Sequence, residues 1–358
     1  MKKLLFFLQD GVGGAERVSV FIGKSLPKDN CNIVFVLVDR GSATSISDFI
    51  PDEFKVIRIP NNNPFKMMFQ LVRIIYNEKP HVVFSSAMYF NTKILLWSWM
   101  FPNVRFVIRC ENYLFSFNSM QQKMISITYC RADAIIAQTK EMKDELAHQL
   151  GIKETKIHVL QNPVDTEMID RMLCNENNPY PEDGLKHYVA SGRFAYQKGY
   201  DLLIKAFWNL VKIDKNVSIY IIGDIEYEEG KIYKEIQLLT QEYGIEQHVH
   251  FIGYLRNPYP FIRYADCFVL SSRWEGLPNV MIEALYLGTP VAAFKCIPII
   301  ERIVNEGENG YLADAENVCH LSESMHKAVS LGRIKSTYDS ANSRDFESIL
   351  LGTDGAMQ

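Results

Sequence analysis

Short β-branched and aromatic runs recur along the first half of the chain, at Leu4–Leu8, Ile33–Val38, Val56–Ile59, Val82–Phe84, Phe106–Ile108, Ala134–Ala137 and Ile157–Leu160. Between several of them the apolar positions take helical spacing, as in Ala15–Leu26, Phe65–Tyr76 and Lys140–Leu150. The strand runs are nearly continuously apolar rather than alternating, which predicts parallel strands covered by helices on both faces. A polar, turn-rich stretch, Cys174–Gly184, interrupts the pattern, which then restarts with runs at His187–Ala190, Val217–Ile222, Val249–Ile252, Cys267–Leu270 and Pro290–Ala293. The predicted class is α/β: two Rossmann-like doubly wound parallel-sheet domains, 1–162 and 163–358, facing a central cleft. The last helical segment is a candidate to cross back to the first domain. In such sheets ligands collect beyond the carboxyl ends of the strands, so chemistry is sought in the loops that follow them.

Length supports the division, because 358 residues exceed the usual size of one hydrophobic core. An apolar fraction of 47% with 22% charged residues is that of a globular protein and too apolar for disorder. The seven cysteines are scattered and form no C-x-x-C pair, which argues against a disulfide framework or a zinc site and for a reducing, cytoplasmic setting. The start MKKLLFF imitates a signal peptide, but its apolar run stops at Gln9-Asp10 and reads as the first strand. No apolar run approaches the ~20 residues of a membrane-spanning helix. Charge changes the picture slightly: residues 1–164 hold 20 Lys+Arg against 14 Asp+Glu, and residues 165–358 hold 18 against 28. A basic first half suits an anionic acceptor or an anionic membrane face, or is ordinary variation between domains.

Three loops carry candidate chemistry. The first, GVGGAER at 11–17, joins the first strand to the first helix, where glycines let backbone N–H groups approach a phosphate or sugar. It also begins like a dinucleotide fingerprint, with Asp39 at the end of the second strand as a ribose-binding acid. Its third fingerprint position, however, is Glu16, where close packing wants Gly or Ala. The second loop, SGRFAYQKG at 191–199, places Arg193 and Lys198 where they can converge on a diphosphate and stabilise a leaving nucleoside diphosphate without a metal; the plain alternative is two solvated cations beside a turn. The third, SSRWEGLPNVMIEALYLGTPVAAF at 271–294, runs from a strand through Glu275 and Gly276-Leu277-Pro278 into a helix bearing Glu283. The free N–H groups of Asn279 and Val280 at that helix start would welcome a phosphate, and the two glutamates would address different parts of one extended ligand.

The spacing Glu275-x7-Glu283 within EGLPNVMIEALYLGTPV resembles the signature of family 4 of the retaining glycosyltransferases, which have the GT-B fold. Further landmarks match in order: GGAER at 13–17, ADAIIAQT at 132–139, NPVD at 162–165, IIGD at 221–224, FIGYL at 251–255 and GENGYL at 307–312. The resemblance implies that Arg193 and Lys198 hold the donor diphosphate. The backbone of Gly13 and Gly14 approaches the phosphate next to the sugar, and that of Asn279 and Val280 takes the other. Glu283 binds the ribose, Glu275 the transferred sugar, and the backbone of Ile252–Leu255, including Gly253 and Tyr254, the base. Such enzymes work without a bound metal or other cofactor, and the departing phosphate oxygen helps deprotonate the acceptor on the same face. Two departures stand out. Where relatives often carry a histidine, this chain reads Arg109-Cys110-Glu111-Asn112; either Glu111 takes the histidine's catalytic place, or the alignment slips by one, or Glu111 is an acidic loop residue with no catalytic task. After the strand Pro290–Ala293, Phe294-Lys295-Cys296-Ile297-Pro298 replaces a glycine-containing turn that helps hold the donor sugar in relatives.

The expected reaction is transfer of a hexosyl or N-acetylhexosaminyl unit from a nucleotide sugar, a UDP-sugar first, to a hydroxyl of a glycan or lipid-linked glycan in surface polysaccharide synthesis. Peripheral contact with the inner membrane leaflet would use the aromatic-rich stretches Lys93–Phe101 and Tyr113–Phe117, whose alternative reading is core helix and loop. No nucleic acid is expected as partner. The rivals are a sugar-nucleotide epimerase, an NAD-dependent oxidoreductase using the Gly11–Gly14 loop, and a non-catalytic subunit of a glycosylating complex.

Overall fold

The computed structural model of the chain describes residues 1–39, 45–60, 63–225, 230–336 and 343–353. It divides into two compact units, Met1–Val164 with Ser340–Gln358, and Asp165–Asp339. The first contains a seven-stranded parallel sheet built from β1 (Lys2–Asp10), β2 (Cys31–Asp39), β3 (Lys55–Ile59), β4 (Val82–Ser85), β5 (Arg105–Arg109), β6 (Ala134–Ala137) and β7 (Ile157–Val159), in the order β3-β2-β1-β4-β5-β6-β7. The second holds β8 (Lys186–Ser191), β9 (Val217–Ile222), β10 (Val249–Gly253), β11 (Cys267–Leu270), β12 (Val291–Phe294) and β13 (Gly310–Ala313), ordered β10-β9-β8-β11-β12-β13. This is the GT-B class of fold, with two Rossmann-like parallel sheets.

Continuous apolar runs become central strands because helices cover both faces. Leu4 to Leu8 of β1 are buried, with Leu4 registered on Ile33 of β2 and on Val82 of β4. Their core continues into the helix Ser343–Leu351, whose Phe346, Ile349 and Leu350 are buried in the same apolar cluster as the β1 and β2 side chains. Its last turn is held by cations, Arg105 donating to the Ile349 carbonyl at 3.2 and 3.0 Å and Lys2 to that of Leu351 at 3.2 Å, where the helix leaves carbonyls unsatisfied. The last helix therefore belongs to the first unit, and the division along the chain falls after Val164. β13, which has no counterpart among the predicted strands, pairs with β12 through Val291 and Gly310.

Strand order reverses between β1 and β4 in one sheet and between β8 and β11 in the other, and at each of these points neighbouring loops diverge to opposite faces and leave room for a ligand. The exits of β8 and β11 carry the second and third sequence motifs. Their pairing, Cys267 on Tyr188 and Phe268 on Val189, is what places residues nearly eighty positions apart side by side.

Candidate active site

The two loops of the second unit are stitched together by side chains that the motif reading passed over. Ser271 donates to the Lys198 carbonyl at 2.9 Å, the Arg273 amide to the Gln197 carbonyl at 2.8 Å, and Gln197 to the Trp274 carbonyl at 2.9 Å. Arg273 binds Asp201 with both arms of its fork, at 2.9 and 2.7 Å, donates to the Tyr196 carbonyl and lies over the Tyr196 ring. Burial raises the Asp201 carboxyl, but the Arg273 hydrogen bond and charge outweigh it and hold it below its ordinary value.

Within this frame Lys198 Nζ meets Glu275 Oε1 at 2.7 Å, and Ser272 Oγ donates to the same oxygen at 2.6 Å. Glu275 is 6% exposed, and Gly276, Leu277 and Pro278 are buried beside it. Pro278 stands just ahead of the helix Asn279–Tyr286, in which Glu283 is 8% exposed. Neither glutamate is a solvated helix charge, and Lys198 is not a solvated cation. Arg193 lies at the head of its loop, half-buried, with its carbonyl accepting from Ala195 at 2.8 Å. One expectation is corrected: the Asn279 amide is not free, since it donates to the Leu277 carbonyl at 2.9 Å, a consequence of the tight turn that Pro278 imposes. Val280 follows it in the helix. Gly253 and the half-exposed Tyr254 sit at the exit of β10 on the same edge of the sheet, where the Gly253 carbonyl accepts from Gly223 at 2.9 Å. After β12, burial pushes the Cys296 thiol up, Glu275 adds to the shift and Lys198 opposes it.

In the first unit Gly13 ends the loop after β1, and the helix Gly14–Ser25 begins there. A side chain at Gly13 would collide with the Glu16 carboxylate, which occupies that space. Ser19 of the same helix bonds Ser86 at 2.9 Å, and Ser86 donates to Glu111 at 2.7 Å, so the exits of β4 and β5 and the glycine-loop helix form one polar chain. Beside Glu111, burial pushes the Cys110 thiol up to about 12, and Arg109 is wholly buried, with one guanidinium nitrogen, Nη2, donating to Asn162 Oδ1. Residue types alone gave no sign of Ser86, which strand pairing brings to Glu111, while Ser272 and Arg273 stand within the third motif but took no assigned role there.

Two parallel sheets, with a cation loop and a strand-loop-helix acid pair at the switch point of the second, define a GT-B glycosyltransferase that uses a nucleotide sugar. Residues 12–168 match the model described as glycosyltransferase family 4, and residues 176–344 the model described as glycosyl transferases group 1. The chain belongs to this family of retaining glycosyltransferases. It is similar to the N-acetylgalactosamine-N,N'-diacetylbacillosaminyl-diphospho-undecaprenol 4-alpha-N-acetylgalactosaminyltransferase of Campylobacter jejuni, at 24% identity over 94% of this chain and 93% of that protein. An uncharacterized glycosyltransferase of Methanocaldococcus jannaschii is 29% identical over 65% of this chain and 61% of its own length. Among solved structures, Anabaena HepE in complex with UDP and glucose superposes with a TM-score of 0.80 at 18% identity, covering 100% of both chains.

Proposed function

We propose that this enzyme moves a hexosyl or N-acetylhexosaminyl unit from a UDP-sugar to a hydroxyl of a glycan or lipid-linked glycan in surface polysaccharide synthesis. The second unit binds the donor and the first unit the acceptor. The observation that carries the donor reading is the cluster of Lys198, Ser272 and Glu275, held rigid at the exits of neighbouring strands with Glu283 buried in the adjoining helix. Support for UDP comes from the Anabaena complex, and for a lipid-linked acceptor from the name of the Campylobacter relative.

In this reading Arg193 and Lys198 stabilise the diphosphate as the sugar's C1–O bond breaks, without a metal ion. The acceptor oxygen bonds to C1 on the same face, and its proton passes to the departing phosphate oxygen. Glu275 addresses the transferred sugar and orients Lys198. Glu283 takes the ribose, Val280 the phosphate through its backbone amide, and Gly253 and Tyr254 the base. Of the first unit's residues, Gly13 and Gly14 approach the phosphate next to the sugar, and Glu111 acts beside the reacting centre.

The division between the glutamates is testable. Hydroxyls bound equally in ground and transition states contribute uniform binding, so Glu283→Gln is expected to weaken UDP binding. Glu275→Gln is expected to lower kcat while leaving UDP affinity within about twofold. Calorimetric titration of UDP and turnover at saturating donor decide it, and equal weakening by both variants refutes the assignment. Turnover in EDTA, run in the same assay, is expected to persist; rescue of a lost activity by manganese or magnesium would show that a metal neutralises the diphosphate.

Peripheral contact with an anionic membrane surface has separate support. Met120, Met124 and Ile127 form one exposed stripe on the helix Ser119–Thr128, with exposed Lys123 beside them, and Trp99 and Phe115 are 69% and 60% exposed. Among the described residues no helix is long and apolar enough to cross a membrane. Met124→Glu is expected to reduce co-sedimentation with phosphatidylglycerol vesicles several-fold; unchanged sedimentation, or none by the parent protein, removes this contact.

A further inference from the structure

The first unit holds a cavity of about 140 Å³ behind the loop that follows β5. That is the size of an engineered core cavity that admits benzene. Ile125, Met142 and Leu146 give it an apolar lining, Phe117 and Tyr129 add aromatic faces, and two carboxylates, Glu111 and Glu145, share it. Its lip is preorganised. The Leu114 amide donates to Glu145 Oε2 at 2.8 Å, and Gln122 donates to the carbonyls of Leu114 and Phe117 at 3.0 and 2.8 Å. Tyr113 and Thr139 bond each other at 3.0 Å and anchor the same loop to the exit of β6.

These walls select by chemistry. Two carboxylates repel a phosphate or an acid and accept from a neutral N–H or O–H donor. The apolar lining has no partner for a hydroxyl, so a sugar that presents hydroxyls on every side leaves some of them unpaired. An acetamido group meets both demands, its N–H turned to a carboxylate and its methyl to Ile125, Met142 and Leu146. We propose that this cavity receives the acetamido group of an N-acylated amino sugar, the residue of the acceptor that confers specificity. The assignment rests on the acceptor role proposed for the first unit.

The test needs no turnover. Saturation-transfer-difference NMR is run on the whole chain with the methyl glycosides of N-acetylglucosamine and of glucose. The acetamido methyl is expected to receive the strongest saturation, at least threefold above any glucose proton, and to lose it in Leu146→Phe, whose ring intrudes into the cavity. Ile125→Phe serves if Leu146→Phe does not fold. Calorimetry with UDP on the same samples reads the donor unit separately and is expected to be unchanged by either variant. Equal saturation of the two glycosides, or an acetamido signal that survives in either variant when folded, overturns the proposal. Absence of UDP binding by the parent protein would instead count against the donor reading and leave the acetamido site standing on its own signal.

Discussion

Lys198→Met is expected to lower turnover about 100-fold or more, as loss of one preorganised charged contact does, and to destabilise the second unit by about 3 kcal/mol. The second effect would be absent for a lysine on a solvated turn. Here Nζ meets Glu275 at 2.7 Å, and the glutamate is almost wholly buried, so removing the cation strands a carboxylate away from water. Ser272 still donates to that oxygen and limits the loss. The double variant Lys198→Met/Glu275→Gln removes both charges, so it is expected to regain most of the stability and none of the turnover. Chemical denaturation and a turnover assay on the four proteins of this cycle separate the two effects. Wild-type stability of the single variant would show that the pair contributes nothing to folding. Recovered turnover in the double variant would take the lysine out of the leaving-group site.

Gly199→Ala is expected to cost about 3 kcal/mol, whereas Gly244→Ala, at nearly the same φ, costs about 1. Both glycines are left-handed, at φ +61° and +62°, so any side chain pays the same conformational penalty. They differ in what a methyl group meets. At Gly244 nothing lies within 4 Å, while at Gly199 the new carbon runs into the backbone carbonyl of Ser271, which a side-chain rotation cannot relieve. Ser271 belongs to the stitch between the β8 and β11 loops, so the displacement also moves Lys198 from Glu275 and should depress turnover together with stability. Urea denaturation of the two variants in parallel reads the difference, and equal losses would show that the loops are not held in this close approach.

The strands were legible where their apolar runs were long. Leu4–Leu8 and Val217–Ile222 are buried strands in the structure, because a strand covered on both faces must be apolar throughout. β13 was not legible: four residues beginning with glycine show neither a run nor a period, and they become a strand only by pairing with β12. The last helical segment was a candidate to cross back to the first domain, but packing alone decided the core in which Ser343–Leu351 buries Phe346 and Leu350, since an apolar face does not name its partner.

The same division runs through the site. Arg193, Lys198, Glu275 and Glu283 stood out in the sequence because the loop or helix start around each is a local signal of glycine, proline and charge. That these loops leave neighbouring strands, that Arg273 and Asp201 lock them together, and that Ser86 joins Glu111 are matters of strand order and long-range packing. Sequence by itself determined the alternation of strands and helices and the residues able to handle a charged donor, because propensity and turn chemistry act over a few neighbours. The tertiary structure alone decided which of those residues touch, which charges are buried, and where an enclosed apolar cavity opens beside two carboxylates, because burial is set by everything that packs around a side chain.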